Sequence, residues 1–413
     1  MNSSTGRWVG GNDFFDRESE LQILETRIRQ HNHVLLTGQR RMGKTSIVRE
    51  LGRRLAVDGW IFLFADVEAA TCPEDAIAEI ARAAFPVLPS KSRVFRAMDR
   101  WFNRSFEEVS AYGLRVKTRA RLNPGSWRRY GERLLGDCAA QDRPVLLVVD
   151  ELPIFLRRME TEDGSSARVD EFLSWLRGVV QSLGEDSPVL VVSGSIGLQP
   201  LVNRLGIPDR INHLSTFRLG PWDRAASIRC FERLAENCGL FVEAGVASGV
   251  YEALGIGIPH HVQSFFARLH DFATMHGRNR VTQADAREVY RTGLLGPSGQ
   301  NDLIDYVTRL KEGLGDENAY SMAMEILAEA ATQGVFTPAA RSALERSYSA
   351  LRVEDAAGSI ADVVEILEHD GYLERADRGH RFMSHLLEDW WMARFRDHHT
   401  PLAMRRPHGT PEM

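Results

Sequence analysis

Residues 38–45, GQRRMGKT, constrain this 413-residue chain more than any other stretch. They fit the spacing G-x-x-x-x-G-K-[ST], follow the short apolar run HVLLT and precede SIVRELGRRLAVDG, in which Ile47, Val48, Leu51 and Leu55 share one helical face. A buried strand, a glycine-framed loop and a helix are the setting in which that spacing receives a polyphosphate. Gly38 and Gly43 permit torsions that turn successive N–H groups inward, and the helix start adds partial positive charge. Lys44 is expected to reach the β and γ phosphates, and the Thr45 hydroxyl to ligate Mg²⁺. Arg40, Arg41 and Met42 in the loop, and Ser46 just after it, complete the expected nucleotide contacts.

A second element follows in RPVLLVVDELPIFL, residues 143–156. Val145 to Val149 read as a strand buried on both faces, as in parallel sheets, with two carboxylates at its C-terminal end. Asp150 is placed to hold the Mg²⁺ shell, and Glu151 to orient or deprotonate an attacking water. A third strand, SPVLVVSGSIGL at 187–198, ends in small polar residues, among which Ser193 and Ser195 are candidates to contact the γ phosphate or that water.

With FFDRESELQIL ahead of the loop, then GQRRMGKTS, VVDELP, EFLSWLR, VVSGSIGL, GIGIPHHV and DGYLERADRGHRFMSHLLEDWW, nearly the whole chain resembles the archaeal-type ATPases of the AAA+ and STAND P-loop NTPases, relatives of origin-recognition-like ATPases. The resemblance implies ATP as the nucleotide. It also places Phe15 and Arg17 beside the adenine, and brings a lid element, Gly257, Ile258 and Pro259, toward the same nucleotide. Arg204 and Arg210 fall where relatives carry an arginine that reaches a neighbouring subunit, which would make hydrolysis depend on assembly. An arginine at the usual AAA+ sensor position of the lid is not evident.

The expected architecture is an α/β P-loop core over 1–216 with strands near 33–37, 60–66, 145–149, 189–193 and 214–218. A helical lid is expected over 217–297, and a winged-helix-like domain over 298–413. In the last domain AYSMAMEILAEAATQ, TPAARSALERSY and GSIADVVEILEHDG read as three helices and GYLERADRGHRFM as a hairpin. The third helix and its flanks carry Glu354, Asp355, Asp362, Glu365, Glu368, Asp370 and Glu374 with no Lys or Arg. Such a face meets a phosphate backbone with like charge, which favours protein contact or a structural role over DNA. The adjacent Trp390 and Trp391 read as a core-sealing pair.

Across the chain 56 acidic residues nearly balance 51 Lys and Arg, so any nucleic-acid surface must be local. From Lys91 to Arg133 twelve basic residues face four acids, a net of plus eight, with GLRVKTRARL as an expected strand and Trp101, Phe102, Tyr112, Trp127 and Tyr130 interleaved. That segment either binds nucleic acid or meets an acidic neighbour in an oligomer. Cys72, Cys138, Cys230 and Cys238 form no CxxC pair, which argues against a zinc site and a disulfide framework and for reduced thiols in a cytoplasmic protein. No apolar run approaches a membrane span. The sequence thus points to an ATP- and Mg²⁺-dependent switch that acts on a second copy or a separate effector protein. The alternatives are a DNA-bound loader working through residues 91–133 and a nucleotide-stabilised scaffold.

Overall fold

The computed structural model describes residues 8–88, 126–164, 166–297 and 299–405. The expected strand and most of the aromatics of the basic segment therefore lie outside the described residues.

Continuous apolar runs make the central sheet. Strands β1 (Val34–Thr37), β2 (Ile61–Asp66), β3 (Val145–Asp150), β4 (Val189–Ser193) and β5 (Ser215–Arg218) start and stop within a residue of the sequence expectation. They lie in the order β2-β3-β4-β1-β5, and every pair is parallel. All six residues of β3 and all five of β4 are buried. This is the pattern of parallel strands covered on both faces by crossover helices. The helices of this region are α1 (Glu18–Arg29), α2 (Lys44–Val57), α3 (Pro73–Ala84), α4 (Trp127–Ala139), α5 (Leu152–Asp163), α6 (Ala167–Leu183) and α7 (Leu198–Arg204). Ile77, Leu134, Phe155 and Phe172 are among the side chains that close one core against the strands.

The chain divides into two compact units. Among the described residues, one holds 17–37 and those of 44–218, the sheet and the helices just named; the other holds 8–16, the loop residues 38–43 and those from 219 to 405. In this second unit α8 (Arg224–Cys238), α9 (Val246–Leu254), α10 (Pro259–Met275) and α11 (Gln283–Val289) occupy the expected lid. Beyond them come α12 (Gln300–Leu314), α13 (Glu317–Gln333), α14 (Pro338–Ala350), α15 (Ala356–His369) and α16 (His385–Phe395). An antiparallel hairpin, Leu373–Ala376 with Gly379–Phe382, follows α15 and completes the winged-helix order of three helices and a wing. Phe265 of the lid, Tyr306 of α12 and Trp391 of α16 belong to one continuous core. The segments read from sequence as lid and C-terminal domain therefore pack as a single body.

The acids around α15 have local duties. Asp355 caps the helix by accepting from the Gly358 N–H at 3.1 Å, Glu368 accepts from Arg375 at 3.0 Å, and Glu374 from Arg381 at 2.8 Å. Asp362 and Glu365 remain exposed. Among the described residues no helix is long and apolar enough to cross a membrane, and the four cysteines are free.

Candidate functional site

The carboxylate end of the sheet is built by α2, β3 and β4. Helix α2 begins at Lys44, so Thr45 and Ser46 lie in its first turn, where backbone N–H groups have no helical partner. The Thr45 Oγ1 donates to Asp150 Oδ2 at 2.9 Å, and the Ser193 Oγ donates to the other oxygen at 2.5 Å. The Glu151 N–H adds a contact of 3.1 Å to that second oxygen. Asp150 is buried at 5% exposure, and its three donors are what allow a carboxylate there.

Glu151 caps the start of α5 in the left-handed region, with φ of 58°. A single carboxylate oxygen, Oε2, accepts from the Ser195 N–H at 2.8 Å and from the Ser195 Oγ at 2.9 Å. Burial raises the Glu151 pKa, the Asp150 charge adds to the rise, and the Ser195 bonds and Lys44 oppose it. Gly194 lies between the two serines because space requires it: a Cβ there would sit 2.5 Å from Pro153 Cδ. The structure brings Thr45 and Ser193 onto Asp150 and Ser195 onto Glu151, and the Lys44 charge acts on Glu151.

Sequence reasoning missed Asp66. It ends β2 in register with Asp150, and burial raises its pKa. The Arg49 guanidinium lies 3.8 Å from the Phe64 ring centroid, and its charge acts on both Asp66 and Asp150. The signal was present in IFLFAD, an apolar run ending in a carboxylate as VLLVVD does.

The phosphate loop has left-handed or otherwise positive torsions at Gly38, Arg41 and Gly43, with φ of 144°, 68° and 89°. A side chain at Gly38 would place its Cβ 2.5 Å from the Leu219 carbonyl oxygen, so glycine is required there by both torsion and space. Met42 is buried, and its N–H points to the Gln39 carbonyl at 3.4 Å. The loop arginines engage α12: Arg40 pairs with Asp305 at 2.6 Å, and Arg41 with Asp305 at 3.3 Å and Asp302 at 3.6 Å.

Phe15 meets Trp222 edge to face with ring centroids 5.6 Å apart, and the Trp222 backbone N–H donates to the Gly257 carbonyl at 2.9 Å. Pro259 opens α10 just beyond. Trp222, which no sequence signal singled out, thus joins the two elements expected beside the adenine. Arg17 lies in the other unit, buried at the start of α1 and paired with Glu20 at 2.7 Å. Arg210 pairs with Asp170 at 2.5 Å and with Asp209, and Arg204 with Glu160 at 2.8 Å.

Thr45 and Asp150 fit Mg²⁺, which takes a hydroxyl and one or two carboxylates while phosphates and waters fill the remaining positions. Lys44 and the N-terminus of α2 fit the phosphates of ATP.

The strand order, the glycine loop between β1 and α2, and the acidic end of β3 are those of a P-loop NTPase fold. No family model and no curated protein matches the sequence. Among solved structures, the chain is similar to the Walker-type ATPase PABY2304 of Pyrococcus abyssi, at 17% identity and a TM-score of 0.61, over 95% of this chain and 99% of that one. The ORC2 protein of Aeropyrum pernix is 12% identical with a TM-score of 0.46, over 93% and 97% of the two chains. The RuvB Holliday junction branch migration motor of Thermotoga maritima is 16% identical with a TM-score of 0.44, over 89% and 92%.

Proposed function

We propose that this protein is a Mg²⁺-dependent ATPase that works as a conformational switch, controlling the assembly or activity of a partner protein in defence or signalling. The observation that carries the reading is the 2.9 Å contact between Thr45 and Asp150, with Glu151 the next residue in the chain. It joins the hydroxyl and carboxylate that would hold Mg²⁺, and the bound ion would neutralise charge on the β and γ phosphate oxygens. Lys44 binds the same oxygens. Glu151 takes a proton from water as the water oxygen forms a bond to the γ phosphorus. The bond from phosphorus to the bridging oxygen breaks, and ADP leaves with its electron pair. Ser195 fixes the Glu151 carboxylate, and Ser193 fixes that of Asp150.

Turnover measured across protein concentration, for wild type, Lys44→Ala and Glu151→Gln, tests this reading. Lys44→Ala is expected to lose nucleotide binding, and Glu151→Gln to bind ATP while its kcat falls by about 10²–10⁴. Equal turnover by wild type and Glu151→Gln at every concentration rejects the hydrolase. A rise with concentration that Arg210→Ala abolishes supports homo-oligomeric assembly with that arginine acting on a neighbour.

The net charge of plus eight over residues 91–133 favours a second reading, a DNA-bound loader or remodeller. Its mark would be turnover stimulated by DNA, with affinity falling steeply as salt rises.

A further inference from the structure

The phosphate loop contains a residue that is costly where it stands. Arg41 adopts φ of 68°, a left-handed torsion that a residue with a Cβ resists and glycine accepts. Such a torsion persists only where the surroundings over-determine it. Here the surroundings are side chains of α10 and α12. The Arg41 guanidinium pairs with Asp305 at 3.3 Å and Asp302 at 3.6 Å, lies 5.5 Å from the Tyr306 ring centroid, and meets His260 Nδ1 at 3.2 Å. Its neighbour Arg40 pairs with the same Asp305 at 2.6 Å. Burial holds the His260 pKa down to about 3, and the Arg41 and Arg40 charges add to that. His260 is thus a neutral partner for the guanidinium near neutral pH.

The supports beneath the carboxylates are fixed in turn. Tyr306 OH meets His261 Nε2 at 3.1 Å, and its backbone carbonyl accepts from Tyr372 OH at 2.8 Å. Tyr306 and Tyr372 are both buried. The loop arginines therefore grip a rigid base. Anion nests in such loops need consecutive N–H groups turned to one side, which a left-handed residue in the run provides.

We propose that Asp305, backed by Asp302, is a positioning residue of the nucleotide site: by anchoring Arg40 and Arg41 it holds the phosphate loop in its anion-receiving conformation. The two arginines then act as anchors and not as phosphate ligands. Loop conformation and the seating of α12 are linked by the same ion pairs, so nucleotide binding strengthens that seating as the seating strengthens binding. The inference rests on the nucleotide-binding reading above.

The test uses the full chain and a fluorescent ATP analogue with Mg²⁺, on wild type, Arg41→Ala, Arg41→Gly, Asp305→Asn and Asp305→Glu, with melting temperatures for each. Arg41→Ala loses the anchor and keeps the torsional cost, so its binding weakens about tenfold. Glycine loses the anchor and the cost together, so Arg41→Gly stays within about threefold of wild type. Asp305→Asn weakens binding about tenfold and Asp305→Glu restores it to within about threefold, while turnover at saturating ATP holds. Equal weakening in Arg41→Ala and Arg41→Gly overturns the proposal, as does binding by folded Asp305→Asn as tight as wild type or tighter. If Asp305→Asn fails to fold, the two Arg41 variants decide alone. Wild type that binds no nucleotide overturns both this inference and the ATPase reading, whereas tight wild-type binding with indistinguishable variants overturns this one only.

Discussion

On the proposed reading Glu151 is the base, and its readiness is set by burial and Asp150 on one side and by one serine and Lys44 on the other. Burial and the Asp150 charge push its pKa up, and the two Ser195 bonds hold it down. A carboxylate base works only when ionised, so turnover is present above its raised pKa and lost as pH falls through it. Ser195→Ala removes the Oγ bond and leaves the N–H bond. The pKa then rises further, and the acid limb of the kcat profile moves to higher pH. Well above that limb, kcat stays within about threefold of wild type, because base and phosphate contacts are intact. A pH–rate profile of Ser195→Ala that overlays wild type shows that the hydroxyl does not tune Glu151. The loop spacing and the VVDE strand end made most of this cluster legible in the sequence. The two serines were visible as candidates, but their sharing of one Glu151 oxygen depends on how β3 and β4 end beside each other. Asp66 left a signal at the end of IFLFAD, whereas Trp222 and the partners of Arg40 and Arg41 were not legible, because their roles come from residues distant in sequence. Asp302 and Asp305 lie three apart in α12, an unremarkable spacing until the loop arginines meet them.

At the scale of elements, apolar continuity told strands from helices more readily than it told where a helix needs a small residue. Helix α4 contains two glycines whose surroundings differ. A Cβ on Gly131 would lie 2.4 Å from Trp175 Cζ2 and 3.0 Å from Ile77 Cδ1, whereas one on Gly136 meets nothing within 4 Å. Trp175 is itself buried against Trp127 and Phe172, with ring centroids 5.0 and 5.7 Å apart, so it has little room to yield. The same substitution therefore has opposite signs one and a half turns apart. Gly136→Ala stabilises by about 0.5–1 kcal/mol through helix propensity. Gly131→Ala gains the same propensity but destabilises overall, since overpacking a core costs about 1–3 kcal/mol. Denaturant unfolding of the two variants checks this, and matching midpoint shifts would show that Trp175 moves aside freely. Both glycines lie inside one helix, and nothing in the sequence alone ranks them.

For the whole molecule, the division into parts follows buried surface and not the boundaries that composition marks. The composition of GPSGQND, residues 296–302, reads as a linker, yet Phe265 before it and Tyr306 and Trp391 after it share one core. The Tyr290 OH donates to Asp389 at 2.6 Å, and His385 Nδ1 meets the Glu252 carbonyl at 3.1 Å, so polar contacts also join residues before that stretch to residues after it. A shared core favours unfolding of this body as one cooperative unit. Trp391 is fully buried, so Trp391→Ala should cost about 3–5 kcal/mol. In hydrogen exchange the slow amides of α10, in the lid, should lose protection by the same free energy as those of α13. If α10 amides keep wild-type protection while α13 amides lose theirs, an energetic boundary lies between the two helices and the lid stands alone. A switch built on a single body would move lid and winged helix together, so any nucleotide signal entering at Arg40 and Arg41 would reach both at once.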